Sequence, residues 1–148
     1  MSLKFAIVPI LAIGLAGCGA VENTASTVSE TVSSAVASVT GGSATAEGQF
    51  VGKSNHITTG TASVVRADGE WFVKLGSDFT FDGAPDPKVA FGSNASWDPN
   101  SSMGPLQANT GEQFYKVPAS LDVGDYLHVW IWCEQFNVPL GVAELQLI

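Results

Sequence analysis

The stretch "YLHVWIWCE", residues Tyr126 to Glu134, decides the fold because its side chains alternate in character. One face carries aliphatic side chains and a cysteine, and the other carries rings and polar groups: Leu127, Val129, Ile131 and Cys133 against Tyr126, His128, Trp130, Trp132 and Glu134. A period of two is typical of a β-strand. So large an apolar ring face is rarely left exposed. We therefore expect the strand either to be buried on both sides or to present its aromatic side as a binding surface.

The same alternation recurs along the chain between frequent turn signals. Trp71, Val73 and Leu75 oppose Phe72 and Lys74, and Ala143, Leu145 and Leu147 oppose Glu144 and Gln146. Turns are indicated at Asp68-Gly69, Asp82-Gly83, Asp98-Pro99-Asn100, Thr110-Gly111 and Gly124-Asp125. No helical stripe of useful length follows Ala46. The pattern predicts an all-β domain over residues 47–148, an antiparallel β-sandwich or barrel-like fold of about eight strands.

The N-terminus has the features of an export signal. Lys4 precedes a run of 12 mostly apolar residues, 5–16, which is too short to span a bilayer as a helix. The run ends in Leu15-Ala16-Gly17-Cys18, which resembles the bacterial lipobox. That resemblance implies that residues 1–17 are a signal peptide and that Cys18 becomes the lipidated first residue. The alternatives are an ordinary signal peptide with a chance cysteine, or a short core segment.

A lipid at Cys18 would make the membrane the first partner of this protein. Each buried methylene adds about 0.8 kcal/mol of membrane affinity, so two or three acyl chains anchor a protein durably. The residue after Cys18 is Gly19 rather than aspartate. In a Gram-negative lipoprotein this resembles the sorting pattern for the outer membrane.

Residues 18–46 are predicted to form a tether. From Thr24 to Thr45, 11 of 22 residues are Ser or Thr, and no aromatic residue is present, so the segment can bury little apolar surface. Five valines nevertheless recur at helical spacing: Val21, Val28, Val32, Val36 and Val39. A flexible tether with some helical tendency is one interpretation, and an amphipathic helix on the membrane or between copies is the other.

The charge balance excludes one class of partner. The chain has six Lys and Arg against 14 Asp and Glu, a formal net charge of −8. Removal of residues 1–17 also removes Lys4. A chain this acidic lacks the cationic footprint that phosphate contacts require, so we expect no binding to nucleic acid.

Cysteine usage leaves Cys133 without an intramolecular disulfide partner if Cys18 carries lipid. In an oxidising compartment such a cysteine is buried, pairs between molecules, holds a cofactor or reacts. Its strand face favours burial as a small apolar side chain. A reactive thiol would need a nearby cation or metal, whereas its neighbour Glu134 is an anion.

Few other residues suggest chemistry. His56 and His128 are the only histidines, so with Cys133 a closed zinc site would still need a carboxylate. Asp82 and Asp86 are weak candidates for a calcium site, since turn aspartates usually cap their own backbone. No CxxCH motif is present, which excludes covalent c-type haem. No catalytic triad or phosphate loop is recognisable, so the sequence leaves open whether the protein is an enzyme.

Three motifs in order resemble the DM13 domain family. They are "HITTGTA" from His56, "FTFDGAPD" from Phe79 to Asp86, and "WCEQFNVPLG" from Trp132 to Gly141. The family is proposed to act in electron transfer or cell-surface redox chemistry. The resemblance implies a β-rich domain in which Cys133 is either a redox thiol, with no cofactor, or a ligand to a group such as haem. Trp132, Trp130 and His56 would then shape its pocket.

The sequence thus supports two functions. The first is a lipid-anchored cell-envelope protein that performs redox chemistry through Cys133 with a separate redox partner protein, since no other redox domain adjoins it. The second is a non-catalytic envelope module that binds a ligand, metal or protein and in which Cys133 is structural. Dimerisation through a Cys133–Cys133 disulfide is a third alternative.

Overall fold

The structure, a computed structural model, describes residues 42–148. The predicted signal peptide, the lipobox at Cys18 and the valine pattern all lie outside the described residues. The described part contains ten strands and two single-turn 3-10 helices, at Pro99–Ser101 and Val123–Asp125, and no α-helix. The strands are β1 (Ser43–Gly52), β2 (Thr58–Thr59), β3 (Thr61–Ala67), β4 (Glu70–Leu75), β5 (Thr80–Phe81), β6 (Pro87–Gly92), β7 (Gln113–Lys116), β8 (His128–Cys133), β9 (Val138–Glu144) and β10 (Gln146–Leu147).

Eight of the ten strands form one antiparallel, nearly closed barrel-like sheet, which confirms the predicted fold class. Its order is β6-β8-β9-β1-β3-β4-β7, and β10 pairs with one end of β1. β2 and β5 form a separate two-stranded sheet. β1 starts at Ser43, inside the segment assigned to the tether, because Ala46 is buried and the Thr45 hydroxyl donates to the carbonyl of Val64 at 3.2 Å.

The core lies inside the barrel and is built from the faces that alternation identifies. Val73 and Leu75 of β4 and Val129 and Ile131 of β8 are fully buried there. Phe79, just before β5, joins the same core, with its ring 5.4 Å from that of Phe50 in an edge-to-face arrangement. Such pairs contribute about 0.5–1.5 kcal/mol beyond area burial.

The predicted inner face is wrong at two strand ends. Leu127 is 57% exposed and Leu147 is 84% exposed. β8 begins only at His128, so Leu127 precedes the paired strand, and β10 is a two-residue strand at the edge of the sheet. The period-two pattern therefore continues past the point where the sheet can bury it.

The residues that the structure describes include no helix long and apolar enough to cross a membrane.

Candidate functional site

Cys133 occupies the last position of β8, on the inner face of the barrel. It pairs with Pro87 of β6 on one side and with Val138 of β9 on the other. The residue is 1% exposed and belongs to the same buried cluster as Ile131. It is a free cysteine in the described domain. The thiol is thus enclosed by core side chains at the end of a central strand.

This enclosure limits what the sulfur can contact. Five surface cavities of the described domain have volumes from about 170 to about 410 Å³, and Cys133 lines none of them. A haem liganded by this sulfur would have to displace core side chains that are themselves fully buried, such as Ile131 and Leu140. The residues around Cys133 therefore do not fit a haem in this conformation. A disulfide with a second copy would require the same opening.

The opposite face of β8 carries a cluster of tryptophan rings outside the barrel. Trp130 is 3% exposed and Trp132 is 6% exposed, so the strand is buried on both sides rather than presenting a wet aromatic face. Their rings meet edge-to-face with centroids 5.8 Å apart. The ring of Trp97 lies nearly parallel to that of Trp132, with an interplanar angle of 9° and centroids 5.7 Å apart. We call Trp97, Trp130 and Trp132 the tryptophan cluster.

A tight turn after β6 brings Trp97 onto this face. The Ser93 amide donates to the carbonyl of Ser96 at 2.9 Å, and Trp97 forms a bridge back to Gly92. A side chain at Gly92 would meet the carbonyl oxygen of Ser96, and would lie only 2.7 Å from the ring of Trp130. The absent side chain of Gly92 is what lets the turn lie flat over the tryptophans.

Both buried indole N–H groups have partners. That of Trp130 donates to the carbonyl of Ser93 at 2.9 Å, and that of Trp132 donates to Oδ1 of Asn137 at 3.3 Å. Buried polar groups cost free energy unless paired, so these bonds hold the two rings in place. Trp97 is half-buried and forms the solvent-facing side of the cluster.

His56 contacts Asp82 rather than Cys133. Its Nδ1 lies 2.9 Å from Oδ1 of Asp82, and its ring packs 5.8 Å from that of Phe81. The backbone amide of Ile57 donates to the other carboxylate oxygen at 3.0 Å. This amide bond first, and the His56 contact second, hold the pKa of Asp82 below its ordinary value. Among the described residues, no hydrogen bond or ion pair joins His56 to Cys133.

Asp86 immediately precedes β6, lies beside the end of β8 and is paired with a cation. Its Oδ1 is 2.8 Å from Nζ of Lys88, which also lies 3.6 Å from Oε2 of Glu134. The amide of Glu134 donates to the backbone carbonyl of Asp86 at 3.1 Å. The contact with Asp86 first, then the field of Glu134, raises the pKa of the Lys88 ammonium. An ammonium so placed competes with any metal for these oxygens.

The structure therefore assembles the sequence-predicted residues only in part. Trp130 and Trp132 lie together on the outer face of β8, and Cys133 follows them on the inner face. Asp86 adjoins the end of that strand, whereas His56 and Asp82 form a separate pair. In residues 42–148, no group of three or more His, Cys, Asp or Glu side chains is placed to hold a metal ion. The weak candidacy of Asp82 and Asp86 remains a prediction.

Sequence reasoning missed three contributors. Trp97 stacks on Trp132, Lys88 joins Asp86 to Glu134, and Asn137 holds the Trp132 indole. Trp97 follows the polar stretch "GSNAS", and nothing in its neighbours signals a partner 35 positions away. The single sequence cue for Asn137 was its position just after the predicted strand. In the structure, its positive φ of 52° marks a turn.

These features define a class: a small antiparallel barrel-like domain with one free, enclosed thiol and a layer of tryptophans over the same strand. Residues 49–145 match the family described as "Electron transfer DM13". Since the match covers well over half of the chain, the chain belongs to the DM13 family. No curated protein and no solved structure matches the chain.

Proposed function

We propose that this protein is an electron-transfer module of the cell envelope, in which Cys133 is the group that is oxidised and reduced. The observation that carries the proposal is the enclosed, unpaired thiol of Cys133 within a domain of an electron-transfer family. Lipidation at Cys18 would hold the domain at the membrane surface.

The number of thiols favours a one-electron step. Dithiol–disulfide chemistry needs a second sulfur, and the described domain has one cysteine. In the proposed step the Cys133 sulfur gives one electron to an oxidised metal centre on a separate redox protein. The S–H bond breaks and a thiyl radical remains. Because the sulfur is enclosed in the folded domain, the proton leaves through a brief opening at the end of β8 that admits water. A reduced partner returns the electron, and the sulfur takes back a proton.

The burial of Cys133 is compatible with one-electron transfer and opposes thiol–disulfide exchange. Thiol–disulfide exchange requires a thiolate to reach another sulfur, and a side chain in a residue that is 1% exposed cannot do so in the folded state. An electron, in contrast, crosses packed protein without contact between the reacting groups. Enclosure would also keep a thiyl radical away from other thiols.

The experiment is flash oxidation of the full-length protein in detergent. Photo-generated tris(bipyridine)ruthenium(III) removes one electron from the protein, and transient absorption follows the indole radicals that form. We expect the wild-type signal to include a decay phase that Cys133→Ala lacks, because the thiol returns an electron to the ring. A cooperative thermal unfolding transition in each protein would show that both are folded.

Identical decays in the wild type and Cys133→Ala would contradict the proposed role of Cys133. Those decays would not bear on the anchoring at Cys18, which a separate measurement tests. Mass spectrometry should detect a lipidated N-terminal peptide in the wild type, and Cys18→Ser should abolish it.

A binding module with a structural cysteine is the second candidate. The observation in its favour is an apolar cavity of about 390 Å³ between β1, β4 and the segment before β8, with Trp71, Tyr126 and Leu127 among its walls. Cavities of this size and character are typical of small-molecule sites. On this account Cys133→Ala lowers the free energy of unfolding by about 1–2 kcal/mol and changes no electron-transfer kinetics.

A further inference from the structure

The tryptophan cluster connects the strand position of Cys133 with the protein surface. Trp132 immediately precedes Cys133 in β8 and is almost fully buried, whereas Trp97 is half-buried. The two rings are nearly parallel and offset, with centroids 5.7 Å apart. Indole is among the most easily oxidised side chains of proteins, and electron exchange between two rings is fastest when the rings are in contact.

We propose that Trp132 and Trp97 are the path by which an electron leaves the neighbourhood of Cys133. This inference rests on the proposed function for its starting point, and it adds the route and the exit. Trp97 gives one electron to the external acceptor and becomes an indole radical cation. Trp132 then gives one electron to Trp97, and the Cys133 thiol gives one electron to Trp132 as it releases its proton.

The hydrogen bonds of the cluster suit this sequence of transfers. Only the thiol loses a proton, so each indole must keep its N–H through the step. The N–H of Trp132 remains bonded to the amide oxygen of Asn137, a group too weakly basic to take the proton. The third ring, Trp130, meets Trp132 at 78° and bonds to a backbone carbonyl, so it supports Trp132 without extending the path to the surface.

The exit is acidic, which indicates the class of acceptor. Trp97 lines a surface cavity of about 290 Å³ together with Asp98, Asp125 and Tyr126. The Tyr126 hydroxyl donates to the Asp98 carboxylate at 3.0 Å, which raises the pKa of Tyr126. Complementary charge steers encounter between proteins. The oxidised metal centre of the proposed function therefore lies on a protein whose surrounding face is positively charged.

The test separates this path from the role of Cys133 by using the Cys133→Ala protein as background. The cationic ruthenium(III) complex oxidises exposed indoles, and the lifetime of the indole radical is measured. Ruthenium(III) is generated by a quencher that takes up an electron, and the reduced quencher later returns that electron to the indole radical. If the positive charge moves inward from Trp97 to buried Trp132, this return is slow. Adding Trp132→Phe should then shorten the lifetime, because the charge stays at the surface.

Trp71→Phe is the matched control, since Trp71 is another half-buried tryptophan, on β4 and outside the cluster. It should leave the lifetime unchanged. Equal lifetimes in the background, the Trp132→Phe and the Trp71→Phe proteins would overturn the path. Because the Cys133→Ala background has no thiol at position 133, these lifetimes test the path whether or not Cys133 is the redox group.

A second arm uses the wild-type thiol. Trp97→Phe should remove the Cys133-dependent decay phase while Trp71→Phe keeps it. Retention of that phase in Trp97→Phe would also overturn the path, and it would leave the role of Cys133 standing.

Discussion

At the scale of the residue, Cys133 illustrates which part of a site a strand pattern predicts. Alternation placed it on the side of Val129 and Ile131, and all three are enclosed in the barrel. The pattern cannot give the contents of a neighbouring strand, so the pairing of Cys133 with Pro87 and Val138 had no sequence signal. The chemical role proposed for Cys133 rests on the family resemblance and not on the spacing of the strand.

The burial of Cys133 leads to a direct prediction about its reactivity. A bulky aromatic disulfide reagent should not label this thiol in the native wild-type protein and should label it after denaturation in guanidinium, since only unfolding lets so large a reagent reach the sulfur. Labelling of the Cys133→Ala protein measures the part of the signal that comes from Cys18. Prompt native labelling that Cys133→Ala abolishes would contradict the enclosure, because it would show that the end of β8 opens widely enough to admit the reagent.

The Asp82 carboxylate leads to a prediction about acid stability. Because hydrogen bonds from the Ile57 amide and His56 lower its pKa in the folded state, it stabilises the fold above its ordinary pKa of 3.8. This contribution is lost as the pH falls through the lower, folded-state pKa. We expect Asp82→Asn to be less stable at neutral pH and to lose less of its unfolding free energy on acidification.

Urea unfolding followed at several pH values measures this slope. Asp68→Asn removes the same charge from an exposed turn and serves as the control. A pH dependence in Asp82→Asn as steep as that of the wild type would mean that the contacts of Asp82 do not couple its protonation to folding.

At the scale of the element, β8 is a strand buried on both faces, with the core on one side and the tryptophan cluster on the other. The sequence predicted the two faces but left open whether the rings were covered, because the cover comes from a turn more than thirty residues earlier. Gly92 decides that cover. Its small size was readable in the sequence, but the ring beneath it was not.

Gly92→Ala should lift the turn from the tryptophans. The added methyl group would lie within 2.7 Å of the Trp130 ring and 2.6 Å of Cα of Trp97, and overpacking of this kind costs about 1–3 kcal/mol. We expect lower stability in urea unfolding, together with altered near-ultraviolet circular dichroism as the Trp97–Trp132 stack separates.

Gly124→Ala provides a comparison at a glycine whose nearest outside atom is a movable carboxylate oxygen of Asp122, at 3.2 Å. A Gly92→Ala protein with the stability and the aromatic dichroism of the wild type would contradict the close approach described for the turn.

At the scale of the whole molecule, the barrel brings together motifs that are far apart in sequence. The short alternating segments and their turn residues predicted the all-β class, because both are local properties. The strand order was not predictable, since β1 lies between β9 and β3 only through pairings that span the chain. The same order brings the "FTFDGAPD" segment beside the end of β8, where the Glu134 amide donates to the Asp86 carbonyl.

The acidic charge balance and the enclosed thiol both fit the proposed exchange of electrons with separate partner proteins. The net charge of −8 favours cationic partners, and such association weakens as salt screens the charges. We expect the bimolecular rate of oxidation by tris(bipyridine)ruthenium(III) to fall with ionic strength. A rate that is constant with salt would place the oxidised group away from the acidic surface.

Electron paramagnetic resonance of the flash-oxidised, freeze-trapped protein can show whether the oxidised group is the sulfur of Cys133. The protein is grown with cysteine deuterated at its β-carbon. If the unpaired electron resides on Cys133, deuteration narrows the hyperfine pattern, and Cys133→Ala abolishes that signal. A spectrum that neither deuteration nor Cys133→Ala changes would contradict the proposed role of Cys133 and place the radical on another residue.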